Sequence, residues 1–257
     1  MTAQSSSQAV VDRLEAISGK PLIVRVDSEI SGHATIRVAA NDAPAHLLRY
    51  KPEHEPTRDY LIAFQCGLAL RAVQTKPDNR FEVAERPTAR EEAVRMVREH
   101  LESGPATIPD DVAPGLAGQF IAGLGTQLRS MPIAIRVDRW LFREFPDLRE
   151  QQRQNVVLQL QESLQGLGPQ VKAIAPRAVV DANLGMNAAF AKSWSTRWND
   201  PALALPFVSA GYDAVGDRLL ELAESGEADP DSDREAVGAW AKQLKLDRWF
   251  QVIDKRL

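Results

Sequence analysis

Cysteine is almost absent from this chain. Cys66 is the single one among 257 residues, which excludes an intramolecular disulfide and any multi-cysteine zinc site. Histidine is scarce as well: His33, His46, His54 and His100 are all there are. No two of them fall at ligand spacing on one expected helix, so they read as surface or locally hydrogen-bonded side chains. A dominant charge is also missing. The 31 basic residues against 35 acidic ones leave a net charge of −4, so no overall field draws the chain to nucleic acid. Long apolar runs are lacking too. The longest uncharged stretch, Val112 to Leu128, is 17 residues and holds Pro114, four glycines and two glutamines, whereas a spanning helix needs about 20 predominantly apolar residues. The opening MTAQSSSQAVVDRLEAI has neither the basic nor the apolar region of a secretory signal. These absences set the expectation of a cytoplasmic protein with no membrane segment and no cofactor.

What is present is enough for a core: 44% of the residues are hydrophobic and 26% charged, an ordinary globular balance. Val10, Val11, Leu14 and Ile17 make a helical stripe over Gln8 to Ser18, with Ser5 to Ser7 as caps and Gly19 as the stop. Strands are expected over Pro21–Asp27, over His33–Ala39 antiparallel to it, and over His46–Tyr50 as an edge, this last after a loop at Asn41–Pro44. A long helix follows from Thr57 to Gln74. Beyond it strand signals nearly vanish, and Thr88 caps a helix that Ser103-Gly104-Pro105 stops. Further helices are expected over Pro114–Arg129 and Arg136–Phe145, then from a cap at Asp147 to Gln165. The last are Arg177–Trp198, Ser209–Ser225, Asp233–Leu244 and Asp247–Ile253. The expected class is α+β, a small antiparallel sheet with its helix in residues 1–80 and a mostly helical domain in 88–257. All five tryptophans lie in that second part, as an aromatic core would.

Several motifs fall short of the chemistry they imitate. Asp229-Pro-Asp231-Ser-Asp233 starts like a calcium loop, but Arg234 stands at the glycine position and Trp240 at the glutamate position; Asp233 reads as a helix cap. Phe207-Val-Ser209-Ala-Gly211 lacks the first glycine of a nucleophile elbow, which leaves Ser209 as the cap of the next helix. Gly115, Gly118, Gly123 and Gly125 come with no phosphate-binding Lys-Ser/Thr. The arginines of 136–153 alternate with Asp138, Glu144, Asp147 and Glu150, as on a solvated face. A metal site from His54 and His100 is the one histidine pairing left to consider.

The helix over Thr57–Gln74 carries the most informative stretch, Phe64-Gln65-Cys66-Gly67-Leu68. A zincin places His-Glu-x-x-His on such a helix, so that two imidazoles one turn apart hold zinc and the glutamate activates water. The flanks, Tyr60-Leu-Ile-Ala63 and Ala69-Leu-Arg71, resemble the active-site helix of zincin-like metallopeptidases of the ImmA/IrrE type. That resemblance covers about residues 1–100 and implies a small three-stranded sheet ahead of the helix. The ligand positions hold Phe64 and Leu68 and the general-base position holds Gln65, none of which can do the chemistry. A third ligand has no counterpart, with Glu91, Glu92 and His100 merely near in sequence. The alternative is an ordinary core stripe of Tyr60, Leu61, Phe64 and Leu68.

The functional expectation is a non-catalytic, zincin-like protein whose degenerate site, Phe64, Gln65 and Leu68, binds a protein or peptide partner. The His46–Tyr50 edge would receive an extended segment by strand addition. A hydrolase with unrecognised catalytic residues and a DNA-associated regulator are the alternatives.

Overall fold

The computed structural model describes residues 5–40, 42–104 and 109–255; Asn41 and Pro105, expected in a loop and at a helix stop, lie outside them. Ser5 opens the first helix by accepting the Gln8 N–H at 3.3 Å. This helix, α1 (Ser6–Ser18), ends at Gly19, whose φ of 68° is in the left-handed region that favours glycine. Three strands follow, β1 (Leu22–Val26), β2 (Ala34–Arg37) and β3 (His46–Tyr50), then a 3₁₀ turn over Pro52–Thr57 and α2 (Arg58–Gln74).

The sheet is mixed, in the order β1-β3-β2. β3 runs parallel to β1, with Leu22 opposite His46 and Val26 opposite Tyr50, and antiparallel to β2, with Ala34 opposite Tyr50 and Arg37 opposite Leu47. Two expectations are corrected here: the first two strands do not pair, and His46–Tyr50 is the centre of the sheet. Burial explains the arrangement. His46, Leu48 and Tyr50 bury one whole face of β3, whereas β1, the more apolar in sequence, leaves Ile23, Val24 and Val26 exposed. α2 packs against β2 and β3, and α1 packs along α2.

The chain forms two compact units, but not in sequence order. The first comprises residues 1–80, 136–158 and 255–257; the second comprises 81–135 and 159–254. The first unit leaves the chain at residue 80 and takes it up again over 136–158, a segment expected in the second part. That segment comes from α4 (Ala113–Glu144), one helix of 32 residues where two were expected. Pro132 forfeits one backbone bond, but the buried stripe Ile121, Leu124, Leu128, Ile135 and Leu141 runs on both sides of it and keeps the helix continuous.

The second unit holds β4 (Phe81–Glu85) and α3 (Ala89–Ser103), and it takes in the first part of α4 and the end of α5 (Arg149–Ser163). It continues with α6 (Pro169–Ile174), α7 (Arg177–Trp198), α8 (Leu205–Ser209), α9 (Asp213–Glu224), α10 (Asp233–Gln243) and β5 (Phe250–Asp254). β4 and β5 pair antiparallel, Phe81 opposite Asp254 and Glu85 opposite Phe250. Neither strand was expected: 81–87 lay between the two expected parts and 247–253 read as a helix. Each is five residues long and finds its partner at the far end of the unit's sequence, a pairing no local signal carries. Trp194, Trp240 and Trp249 are fully buried, Trp198 stacks on Trp194 with centroids 4.3 Å apart, and Trp240 Nε1 donates to Leu219 O at 2.8 Å. Trp140 instead belongs to the first unit.

In that unit Gly67 lets α4 approach α2. A Cβ on Gly67 would sit 2.5 Å from Val137 Cγ1 and 3.3 Å from the Trp140 ring. Gly67→Ala is therefore expected to destabilise the protein by about 1–3 kcal/mol in chemical denaturation through overpacking. A loss within about 0.5 kcal/mol, the range of a surface substitution, would show that the helices part without cost.

Candidate functional site

Thr57 offers α2 no side-chain cap. The first turn is served from α5 instead: Gln151 Oε1 accepts the Tyr60 N–H at 3.0 Å. The Tyr60 hydroxyl donates to Asp138 Oδ1 at 2.8 Å. Gln152 Nε2 donates to the same oxygen and to the Asp138 carbonyl, both at 3.0 Å. Tyr60, Asp138 and Gln152 are each 1% exposed. Burial, with the charge and hydrogen bond of Asp138 behind it, raises the Tyr60 phenol well above its usual range, so it remains a donor at neutral pH. Asp138 and Arg136 are both buried, and the run 136–153 is not the uniformly solvated face its alternating charges implied. The face of α4 that bears Val137, Asp138 and Leu141 turns inward.

Within FQCGL, Phe64 and Leu68 lie one turn apart on one face of α2, both half-buried, and Phe64 meets the Tyr60 ring with centroids 5.8 Å apart. Gln65 diverges from them. Its Nε2 donates to Ala34 O at 3.1 Å. Because the Lys51 N–H donates to His33 O, strand alternation points the next carbonyl, that of Ala34, away from β3 and out of the sheet's edge. Gln65 thus occupies the outer edge of β2, and the three residues do not converge on a common point. Cys66 is buried, and burial followed by the charge of Glu15 pushes its thiol up to about 12. It is a thiol at neutral pH and no nucleophile.

The histidines have partners other than those the sequence offered. His33 and His54 stack with centroids 4.0 Å apart, and Asn155 Nδ2 lies 3.2 Å from His33 Nδ1. His100, in the second unit, pairs its Nε2 with Lys172 O at 3.1 Å, not with His54. His46 is a neutral relay: the Ala39 N–H donates to Nδ1 at 3.0 Å, leaving Nε2–H to donate to Ser18 Oγ at 2.8 Å, which donates to Leu14 O at 2.7 Å. Among the described residues no group of three or more His, Cys, Asp or Glu side chains could hold a metal ion.

Two caps also move. Ser209 ends α8, and the following helix begins only at Asp213, after Gly211 at φ 93°. Ser232 holds the cap position of α10, one residue before the expected Asp233. In the second unit a groove of about 630 Å³ opens along α3 and α4, with Val94, Pro114 and Ala117 among its lining and Arg90, Arg98 and Glu99 at its sides. Of the residues singled out from sequence it is lined by Glu91 and Gly118, and by none of Phe64, Gln65 and Leu68. The residues sequence reasoning missed are Gln151, Gln152 and Asn155. Their signal was present, since Gln152 and Asn155 lie three apart on the α5 face that buries Val156, and Gln151 and Asn155 four apart.

No described helix is long and apolar enough to cross a membrane. Compared with known proteins, the chain matches no family model, no curated protein and no solved structure.

Burial, then the charge of Lys20, lowers the His46 pKa against the opposite pull of Glu15. The unfolded chain, with its histidine near about 6.5, therefore takes up the proton first as pH falls. The stabilisation from this relay is complete above about pH 6.5 and is lost progressively below it. Denaturation midpoints measured across that window are expected to fall with acid, and His46→Gln should flatten the fall while lowering stability throughout.

Proposed function

We propose that the chain is a non-catalytic, zincin-like binding protein that engages another protein through the free edge of its first sheet. Each sheet edge has one outward group taken, the Leu22 N–H by Glu15 on β1 and the Ala34 carbonyl by Gln65 on β2, and the observation that carries this reading is the greater apolar exposure of β1. On β2 the Gln65 amide, at the position where a zincin keeps its general base, is committed to the Ala34 carbonyl. On β1 the outward groups of Val24 and Val26 have no partner among the described residues, and Ile23, Val24 and Val26 are 42%, 39% and 55% exposed. An apolar strand with an open backbone edge is what strand addition requires. β3 cannot serve, because it has a neighbour on each side; the binding edge is β1.

The zincin-like part is supported by the three-stranded sheet ahead of α2 and by the packing roles of Phe64, Gln65 and Leu68. A hydrolase would need an exposed acid or base. Tyr60 and Asp138, the most conspicuous such pair, are buried and bonded to each other. A DNA-associated role gains little from the arginine run, since Arg136 is inside the protein.

Metal analysis of purified protein tests the reading: far less than one zinc per chain is expected, and stoichiometric zinc would overturn it. The triple variant Phe64→His, Gln65→Glu, Leu68→His tests the geometry. It should bind zinc more tightly than the parent chain, by titration with a chromophoric chelator. A folded variant with no gain would remove the zincin-like part of the proposal.

A further inference from the structure

We infer that the outer face of the first sheet, the one turned away from α1 and α2, docks an acidic segment of another protein through Arg25, Arg37 and Arg49. This surface is separate from the β1 edge and does not depend on the reading given for that edge.

The register sets the face. His46, Leu48 and Tyr50 are buried, and His46 bonds Ser18 of α1, so these residues of β3 look toward the helices. Alternation turns Leu47 and Arg49 to the other side, which their neighbours in register share. Arg25 and Thr35 flank Arg49 in one row, and Ile23 and Arg37 flank Leu47 in the next. Three cations thus fall within two adjacent rows, one on each strand. All three arginines are exposed, and Ile23 is exposed beside a half-buried Leu47.

The charges are not balanced from within. Arg49 Nη1 lies 3.1 Å from Asp27 Oδ2, but Arg25 and Arg37 make no ion pair with a described residue. Arg25 stands one strand from Arg49, and like charges side by side in a sheet repel. A carboxylate received between the two guanidinium groups removes that repulsion and forms charge-assisted bonds with both. The diagonal from Arg49 to Arg37 is roughly 7–8 Å, close to the roughly 7 Å between alternate side chains of an extended segment. One segment therefore answers both arginines. Ile23 and Leu47 add an apolar strip beside the cations, which matches apolar side chains set among the acids. A nucleic-acid strand is a poorer match. None of these six positions holds an aromatic ring on which its bases would stack, and its phosphates leave the apolar strip unused.

The test is fluorescence anisotropy of the full chain with a labelled peptide of alternating glutamate and leucine. Binding is expected with a Kd on the order of 10–100 μM. It should weaken at least about fivefold between about 0.05 M and about 0.5 M salt, because the pairs are exposed. Arg25→Glu and Arg37→Glu together should weaken it more than about tenfold, with circular dichroism unchanged because both side chains are exposed. The same charge change at the exposed Arg177, in the second unit, should leave binding as it was. Arg37 separates face from edge, since β2 lies on the far side of β3 from β1. Binding lost in Val24→Lys but kept in Arg37→Glu would place the peptide at the β1 edge, overturning this inference and keeping the other. No binding, binding indifferent to salt, or tighter binding of an oligothymidine strand to the same arginines also overturns it.

Discussion

The carbonyl of Ala34 points away from its own sheet, and an amide on the neighbouring helix meets it. That bond between Gln65 and β2 fastens the sheet to α2 and occupies one outward carbonyl of the β2 edge. A carbonyl left without a donor costs about 1–3 kcal/mol when buried, and the Gln65 amide meets this part-buried one. With β3 paired on both sides, the sheet has β1 and β2 as its two edges. A glutamate at position 65, the residue that peptidase chemistry would ask for, would set a carboxylate against the Ala34 carbonyl with no proton to share.

Beneath the same helix, the Tyr60–Asp138–Gln152 cluster brings the returning segment 136–158 into the first unit. Each member answers a polar group on another element, and Gln151 supplies the N-terminal bond that α2 cannot make for itself. Such networks stabilise only when complete, because low local polarity makes an unmatched member costly. Close packing at Gly67 adds a steric condition to this electrostatic one. The first unit is therefore discontinuous in sequence for a physical reason: α2 needs both the amides of α5 and the Val137–Trp140 flank of α4 that Gly67 admits.

The parts legible in sequence were those written in local signals. The serine cap and glycine stop of α1, the residues of β1 to β3, the span of α2 and the helical spans of α3 and α7 could all be read from period and caps. The gap expected between Arg129 and Arg136 is absent, because the apolar stripe continues on both sides of Pro132. Asp138 misled, because alternation with arginines looks solvated until a tyrosine from another helix arrives to bond it. Strands β4 and β5 were invisible for a related reason: five residues of FEVAE or FQVID become a sheet only when the other is present.

By itself the sequence determined the α+β class, most of the elements, and the impossibility of zinc ligation by Phe64 and Leu68, because side-chain chemistry and periodicity are properties of short stretches. Tertiary structure alone decided the strand order, the membership of 136–158, and the direction of Gln65. Those depend on which distant backbone group reaches a given donor first. The residues of β3 were plain in the sequence, but its place at the centre of the sheet was not, since hydropathy favoured β1 while burial against the helices favoured β3. That outcome leaves β1 apolar, at the edge and open.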